Sequence, residues 1–167
     1  LFSFNAPQGA CPGCNGLGEI VFFEPELLVD LDRKVPDCFL AFNDEGRLPF
    51  AHFDRDALKR VAKQLGVPIR KKLRDWSEEQ LDELLWGKPD LIWTARILRG
   101  SRVEERERPW RGLVGLVQRV YHFSRLPTLE RFRVRMTCPE CNGARLNPIA
   151  LAVRFRDQNI RSLSTLS

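Results

Sequence analysis

Nothing in this 167-residue chain resembles the catalytic apparatus of a common enzyme class. It has no GxxxxGK[ST] phosphate loop, no Gly-rich dinucleotide turn and no nucleophile–base motif. Nucleotide hydrolysis, hydride transfer and covalent catalysis therefore have no residues here to carry them. No apolar run approaches the roughly 20 residues of a membrane-spanning helix. The N-terminus carries neither the charged nor the apolar region of a secretory signal. A βαβ pattern and low-complexity tracts are also missing. His52 and His122 have no partner at metal-ligand spacing and read as structural or surface residues. The chain opens Leu1-Phe2-Ser3-Phe4 without an initiator Met and closes just after a cap-like Ser164-Thr165, so the expectation is a piece of a longer protein. What remains is ordinary globular composition, 43% hydrophobic and 29% charged, with a length suited to one domain or a domain plus a small module.

Against that background the five cysteines stand out. Four form two nearly identical hexapeptides, Cys11-Pro12-Gly13-Cys14-Asn15-Gly16 and Cys138-Pro139-Glu140-Cys141-Asn142-Gly143. Two residues between cysteines let a tight turn aim both sulfurs at one point, and the following Gly accepts a positive φ as the turn closes. Two such turns supply the four thiolates of a closed tetrahedral zinc site, with Cys11, Cys14, Cys138 and Cys141 as ligands. Disulfides, a redox pair and an iron–sulfur cluster are the competing readings. The missing signal disfavours the first, the missing βαβ unit and the second pair disfavour the second, and the repeated CPxCxG turn favours zinc over the third. Because 123 residues separate Cys14 from Cys138, the metal would close the base of a long excursion. The expected organisation is a first knuckle and strand at 1–24, an insertion domain at 25–135, and a second knuckle with a return strand at 136–167. Cys38 lies in the apolar run Cys38-Phe39-Leu40-Ala41-Phe42 and reads as a buried packing residue.

Between the knuckles the pattern is mixed α+β: a zinc-knuckle stem carrying helices and strands that do not strictly alternate. Residues 18–23 predict a strand, and 26–54 predict loops with a short helix or strand. Asp54 or Asp56 caps a helix bearing Leu58, Val61, Ala62 and Leu65 that ends at Gly66. Ser77-Glu78-Glu79-Gln80 is a capping box for a second helix with Leu81, Leu84 and Leu85 on its apolar face. Residues 91–98 predict a strand that turns at Gly100-Ser101 into a charged, exposed strand over 102–107. Pro109-Trp110-Arg111-Gly112 is expected to open a third helix with a stripe of Leu113, Leu116, Val117, Val120 and Tyr121. A helical turn is expected near 129–132, an alternating strand at 151–155, and a short apolar segment at 160–163.

The net charge of +5 is unevenly spread. Residues 1–95 carry 12 basic and 16 acidic side chains, whereas residues 96–135 carry 11 arginines against 4 glutamates. Arginine suits bidentate phosphate contact and stacking on bases. Arg96, Arg99, Arg102, Arg106, Arg108, Arg111, Arg131, Arg133 and Arg135, with Lys71 and Lys72, are the candidate nucleic-acid contacts. Glu104, Glu105 and Glu107 sit among them, so a solvated face with internal ion pairs is the bland alternative. No helix carries base-reading side chains at suitable spacing, so any such binding would be largely independent of sequence.

At the knuckles the chain resembles UvrA, the DNA-damage-recognition ATPase of bacterial nucleotide excision repair. The stretch from Phe2 to Gly18 is similar to the family's FSFN-x-P-x-GACPxCxGLG segment. The stretch Cys138-Pro139-Glu140-Cys141-Asn142-Gly143-Ala144-Arg145-Leu146-Asn147-Pro148 resembles its returning CPxCxGxRLxP knuckle. Trp76-Ser77-Glu78-Glu79-Gln80 with Leu84-Leu85-Trp86-Gly87, and Trp110-Arg111-Gly112-Leu113-Val114, are similar to two interior segments, while residues 26–75 match loosely. The resemblance implies the zinc module of the first signature domain with its insertion domain, and Cys11, Cys14, Cys138 and Cys141 as ligands of one structural Zn2+. It implies double-stranded DNA as partner, a homodimeric parent working with other excinuclease subunits in the bacterial cytoplasm, and no membrane. The ABC ATPase motifs that bind ATP and Mg2+ in the family are absent from this chain, which is therefore not expected to be an enzyme by itself. Both the housekeeping UvrA and the shorter second class fit. Two other readings stay open: a DnaJ-like module binding unfolded polypeptide through its CxxCxGxG segment, and a purely structural zinc stem.

Overall fold

The computed structural model describes residues 3–99, 102–155 and 158–159. The chain forms two compact units, one from Leu1–Phe22 with Val134–Ser167 and one from Phe23–Arg133. Chain order is β1 (Glu19–Phe23), α1 (Pro25–Leu28), β2 (Arg47–Leu48), β3 (Phe53–Asp54), α2 (Arg55–Gln64), α3 (Glu78–Leu85), β4 (Lys88–Arg99), β5 (Arg102–Trp110), α4 (Gly112–Ser124), β6 (Arg133–Thr137), α5 (Pro148–Ala152), β7 (Arg154–Phe155) and β8 (Gln158–Asn159). Short 3-10 turns stand at Leu73–Asp75 and Pro127–Phe132. The strands pair as four two-stranded sheets, β1–β6, β2–β3, β4–β5 and β7–β8, so the mixed α+β class holds.

Local chemistry explains the helix starts. Asp54 Oδ1 accepts from the Ala57 N–H at 2.7 Å and opens α2. At α3, Ser77 Oγ accepts from the Gln80 N–H while Gln80 Oε1 accepts from the Ser77 N–H, a complete capping box. The α4 face buries Leu113, Val117, Val120 and Tyr121 as the spacing predicts, adds Val114, and leaves Leu116 half-buried.

Two expectations are corrected. Pro109 and Trp110 do not open α4; they end β5, and the helix starts at Gly112. Trp110 is 1% exposed, donates its indole N–H to the Glu83 carbonyl at 2.8 Å, and stacks on Phe53 with ring centroids 5.9 Å apart. That burial outweighs the helix-start preference of Pro109, whose missing N–H is tolerated in an edge strand. Residues 151–155 do not form one strand either. Asn147 Oδ1 accepts from the Ala150 N–H at 2.8 Å with Pro148 behind it, so α5 runs to Ala152 and only Arg154–Phe155 is extended. The expected turn at Gly100-Ser101, the apolar segment at 160–163 and the cap at Ser164 or Thr165 lie outside the described residues.

The second unit holds the apolar core. Its centre is an aromatic group in which Phe53 meets Trp93 edge-on at 5.3 Å and Trp110 in a stack, with Leu58, Val61, Leu84 and Leu113 fully enclosed around it. Cys38 is buried in this core, and burial pushes its thiol up to about 12. The first unit has little apolar material at its centre, where the four knuckle cysteines lie with Ile20 and Ala144 against them. Among the described residues no helix is long and apolar enough to cross a membrane.

Trp110→Ala is expected to destabilise the second unit by about 3–5 kcal/mol, with Trp110→Phe milder. Urea unfolding followed by far-UV circular dichroism measures both.

Candidate metal centre and basic face

The two knuckles are built alike and bond to each other reciprocally. The Cys11 N–H donates to the Arg145 carbonyl and the Cys138 N–H to the Gly18 carbonyl, each at 2.9 Å. In both cases the acceptor lies four residues beyond the second cysteine of the opposite knuckle. Inside the turns, the Leu17 N–H donates to the Cys14 carbonyl and the Ala144 N–H to the Cys141 carbonyl. Asn15 and Gly16 both have positive φ, as do Asn142 and Gly143, so the repeated Asn-Gly supplies the left-handed pair that each turn needs. The Asn147 N–H to the Gly9 carbonyl, and the Asn147 side-chain amide to the Gln8 carbonyl, extend the seam.

This arrangement brings Cys11, Cys14, Cys138 and Cys141 together, all buried, with every sulfur within 4.8 Å of the others. Cys11 Sγ lies 3.9 Å from Cys138 Sγ, and Cys14 Sγ lies 3.7 Å from Cys141 Sγ. These separations exclude disulfides, which need about 2.0 Å. They match a tetrahedral metal site, since metal–sulfur bonds of about 2.3 Å give edges of about 3.8 Å. Burial pushes the Cys11 thiol up to about 12. At Cys14 burial acts in the same direction, but the Gly18 N–H, 3.2 Å from Sγ, and the neighbouring sulfurs outweigh it and bring that thiol down to about 7. Four crowded thiols cannot all ionise in a buried site without a cation, so the donor set fits one divalent, thiolate-preferring metal. Glu140 Oε2 accepts from the Gly13 N–H at 3.0 Å and ties the second knuckle to the first.

The candidate basic residues do not gather into one patch. Arg135 belongs to the first unit, where its guanidinium pairs with Glu19 at 2.8 Å. The others lie in the second. Arg133 is engaged on Glu130 and the Tyr121 hydroxyl, with its guanidinium 4.4 Å from the Tyr121 ring centre. The Tyr121 hydroxyl, and then Arg133, hold the Glu130 carboxyl below its ordinary range. Arg131 donates to the Leu40 carbonyl and lies over Phe132. Lys72 pairs with Asp32, while Lys71 is exposed nearby. On the hairpin, Arg96 pairs across the strands with Glu105, and Arg106 forks onto Glu104. The side chains of Arg102, Arg108 and Arg111 have no ion-pair or hydrogen-bond partner among the described residues. The side chain of Arg99 lies outside the described residues. Arg119, absent from the sequence-based set, lines a cavity of about 300 Å³ with Arg108 and Arg111. Its signal was spacing: position 119 lies one turn beyond 115 on α4 and two turns beyond Arg111, the residue that precedes the helix.

Comparison with known proteins gives a consistent result. A family model described as the UvrA DNA-binding domain matches residues 30–126. The UvrABC system protein A of Treponema pallidum is 36% identical over 176 residues, covering 100% of this chain and 18% of that protein. Its counterpart from Thermus thermophilus is 29% identical over 170 residues, covering 99% and 18%. The chain thus spans under a fifth of the length of these curated relatives. The crystal structure of UvrA2 from Deinococcus radiodurans superposes with a TM-score of 0.71 at 20% identity, covering 98% of this chain and 21% of that one, a likeness of fold.

A Cβ at Gly16 would strike the Phe4 carbonyl and force the residue out of its left-handed conformation, whereas at Gly143 the nearest heavy atom, Thr137 Cγ2, would be 3.5 Å away. Gly16→Ala is therefore expected to open the cysteine cluster more than Gly143→Ala, read as faster reaction of the thiols with an aromatic disulfide reagent.

Proposed function

The chain belongs to the UvrA DNA-binding domain family, and from that premise we propose that it contacts double-stranded DNA as part of a UvrA-like nucleotide excision repair protein. The unit Phe23–Arg133 is the insertion domain that meets the DNA, and the unit Leu1–Phe22 with Val134–Ser167 is the stem that carries it. The observation that supports this best is the set of unpaired arginines on the second unit: Arg102, Arg108, Arg111 and Arg119 have no carboxylate partner among the described residues. Phosphate neutralisation by such groups is the main sequence-independent source of DNA affinity. Guanidinium forks suit phosphate oxygens in two-point contact, and none of the described helices presents a row of amide side chains to read bases. Arg96, Arg106 and Lys72 already have carboxylate partners and contribute less. Arg133 and Arg135 are likewise engaged within their own units, by Glu130 and Tyr121 and by Glu19, and contribute less as well.

Cys11, Cys14, Cys138 and Cys141 hold one Zn2+ whose role is structural. The metal supplies positive charge that lets four buried thiolates coexist, and the knuckle turns supply the sulfur positions. Hydrolysis of ATP with Mg2+, dimer formation and work with other excinuclease subunits in the cytoplasm belong to the larger protein of which such a domain forms part. This domain contributes binding and no bond-breaking step. The polypeptide-binding alternative is not favoured, because the family match spans the region between the knuckles and the two knuckles are far apart in sequence.

Two measurements test this. In fluorescence-anisotropy titrations with duplex DNA, log K should fall with log salt at a slope near −3 to −4, as about four phosphate contacts require. Arg108→Glu, Arg111→Glu and Arg119→Glu should flatten that slope, whereas Arg106→Ala should leave it unchanged; absence of salt-dependent binding refutes the DNA reading. Elemental analysis should find one zinc per chain, lost in Cys14→Ser and Cys141→Ser and retained in Cys38→Ala. A metal-free purified chain refutes the four-thiolate site.

A further inference from the structure

The arginines that remain unpaired do not stand on a polar surface. Phe50 and Phe123 are 73% and 80% exposed, extreme values for phenylalanine in a unit that has a well-filled core. Both line one cavity of about 350 Å³, with Leu116, Arg108 and Arg119 as further walls. Arg108, Leu116 and Arg119 also wall the cavity of about 300 Å³ that includes Arg111, so the two adjoin across these three side chains. No carboxylate lines either cavity among the described residues. Each volume falls within the range of small-ligand sites, about 300–1,000 Å³.

The aromatic side chains are held out deliberately. Leu116 and Phe123 are two helical turns apart on one face of α4, where Leu116 packs against the core and Phe123, in the last turn of the helix, stands out in solvent. Phe50 sits in the four-residue loop between β2 and β3 with φ +64, a left-handed conformation that bulky residues seldom adopt. Backbone strain that aims an aromatic ring at solvent, where it gains no burial, points to an occupant that provides it. The occupant needs a flat apolar face for Phe50 and Phe123 and negative charge for Arg108, Arg111 and Arg119. An apolar partner surface would leave three guanidinium groups unpaired, and an acidic one would leave two rings uncovered. A nucleotide out of its stack satisfies both.

We propose that this face holds an unpaired nucleobase of DNA, its ring against Phe50 and Phe123 and its flanking phosphates on Arg108, Arg111 and Arg119. The proposal rests on the DNA-binding reading above and adds a preference for DNA in which a base has left the helix. Bases stack on aromatic side chains regardless of identity, so the preference is for local unpairing and not for sequence. Arginine adds stacking of its own beside the rings.

The test uses the full 167-residue chain and two DNA probes of equal length and charge. One is fully paired and the other carries a short unpaired bubble with 2-aminopurine in it. Wild-type protein is expected to bind the bubble at least about fivefold tighter than the paired duplex, with a change in 2-aminopurine emission. Phe50→Ala and Phe123→Ala should abolish both the preference and the emission change while leaving paired-duplex affinity intact. The milder Phe50→Leu and Phe123→Leu, in which the apolar bulk remains without the aromatic face, should do the same and guard against an effect of misfolding. Arg108→Ala, Arg111→Ala and Arg119→Ala should weaken both probes together. Paired-duplex binding with no bubble preference, or a preference untouched by the phenylalanine variants, overturns the base-holding role and spares the DNA reading. No binding to either probe overturns both.

Discussion

The crowding of four sulfur atoms is the constraint on which the first unit depends. Among its described residues the buried cluster at the centre of that unit is made of cysteines, with only Ile20 and Ala144 packed against it. The knuckles compensate with backbone chemistry, each giving its first cysteine N–H to a carbonyl of the other. Repeating one hexapeptide makes this possible, because whatever conformation one copy adopts the other adopts as well. Closing the long stretch of chain between them carries an entropic cost that grows only logarithmically with length. A cross-link through metal would remove much of that freedom from the unfolded state, on the order of 4–5 kcal/mol for a loop of about 100 residues.

The second unit is organised on a different principle. Its core is apolar and aromatic, and Phe53, Trp93 and Trp110 gather there from β3, β4 and β5. Its charge is sorted at the surface. Arginines with a glutamate directly opposite or nearby are occupied, as Arg96 is by Glu105 and Arg133 by Glu130. Those near α4 face no carboxylate and lie beside the two exposed phenylalanines. Exposed ion pairs contribute little to stability, so the effect of these glutamates is mostly to offset the positive charge of the arginines they meet.

The parts of the fold legible in the sequence were those set by short-range chemistry. The Ser77–Gln80 box, the Asp54 cap and both knuckles are each specified by a handful of consecutive residues. Where the sequence misled, residues outside the window being read decided the outcome, once far away in the chain and once just upstream. Pro109-Trp110 has the local form of a helix start, but Trp110 is captured by Phe53 and the Glu83 carbonyl, far away in the chain. Residues 151–155 alternate like a strand, yet Asn147-Pro148, just outside that window, had already started a helix. The cysteine cluster was readable because its spacing repeats. The grouping of Phe50 with Phe123 and Arg119 was not, because it depends on how a loop and a helix face meet in three dimensions.

The reciprocal knuckles also have a consequence in time. Cys11 and Cys138 are 127 positions apart, so the ribosome makes the first turn long before its complement exists. At about 5–20 residues per second, the delay is roughly 6–25 seconds. Through that interval half of the sulfur set waits without its complement while the intervening unit is being made, and the last core residues of that unit, Leu129 and Phe132, are in place before Cys138 is added. The order of synthesis thus completes the first unit after the second, and leaves its early cysteines open for that time to oxidation or to the wrong metal.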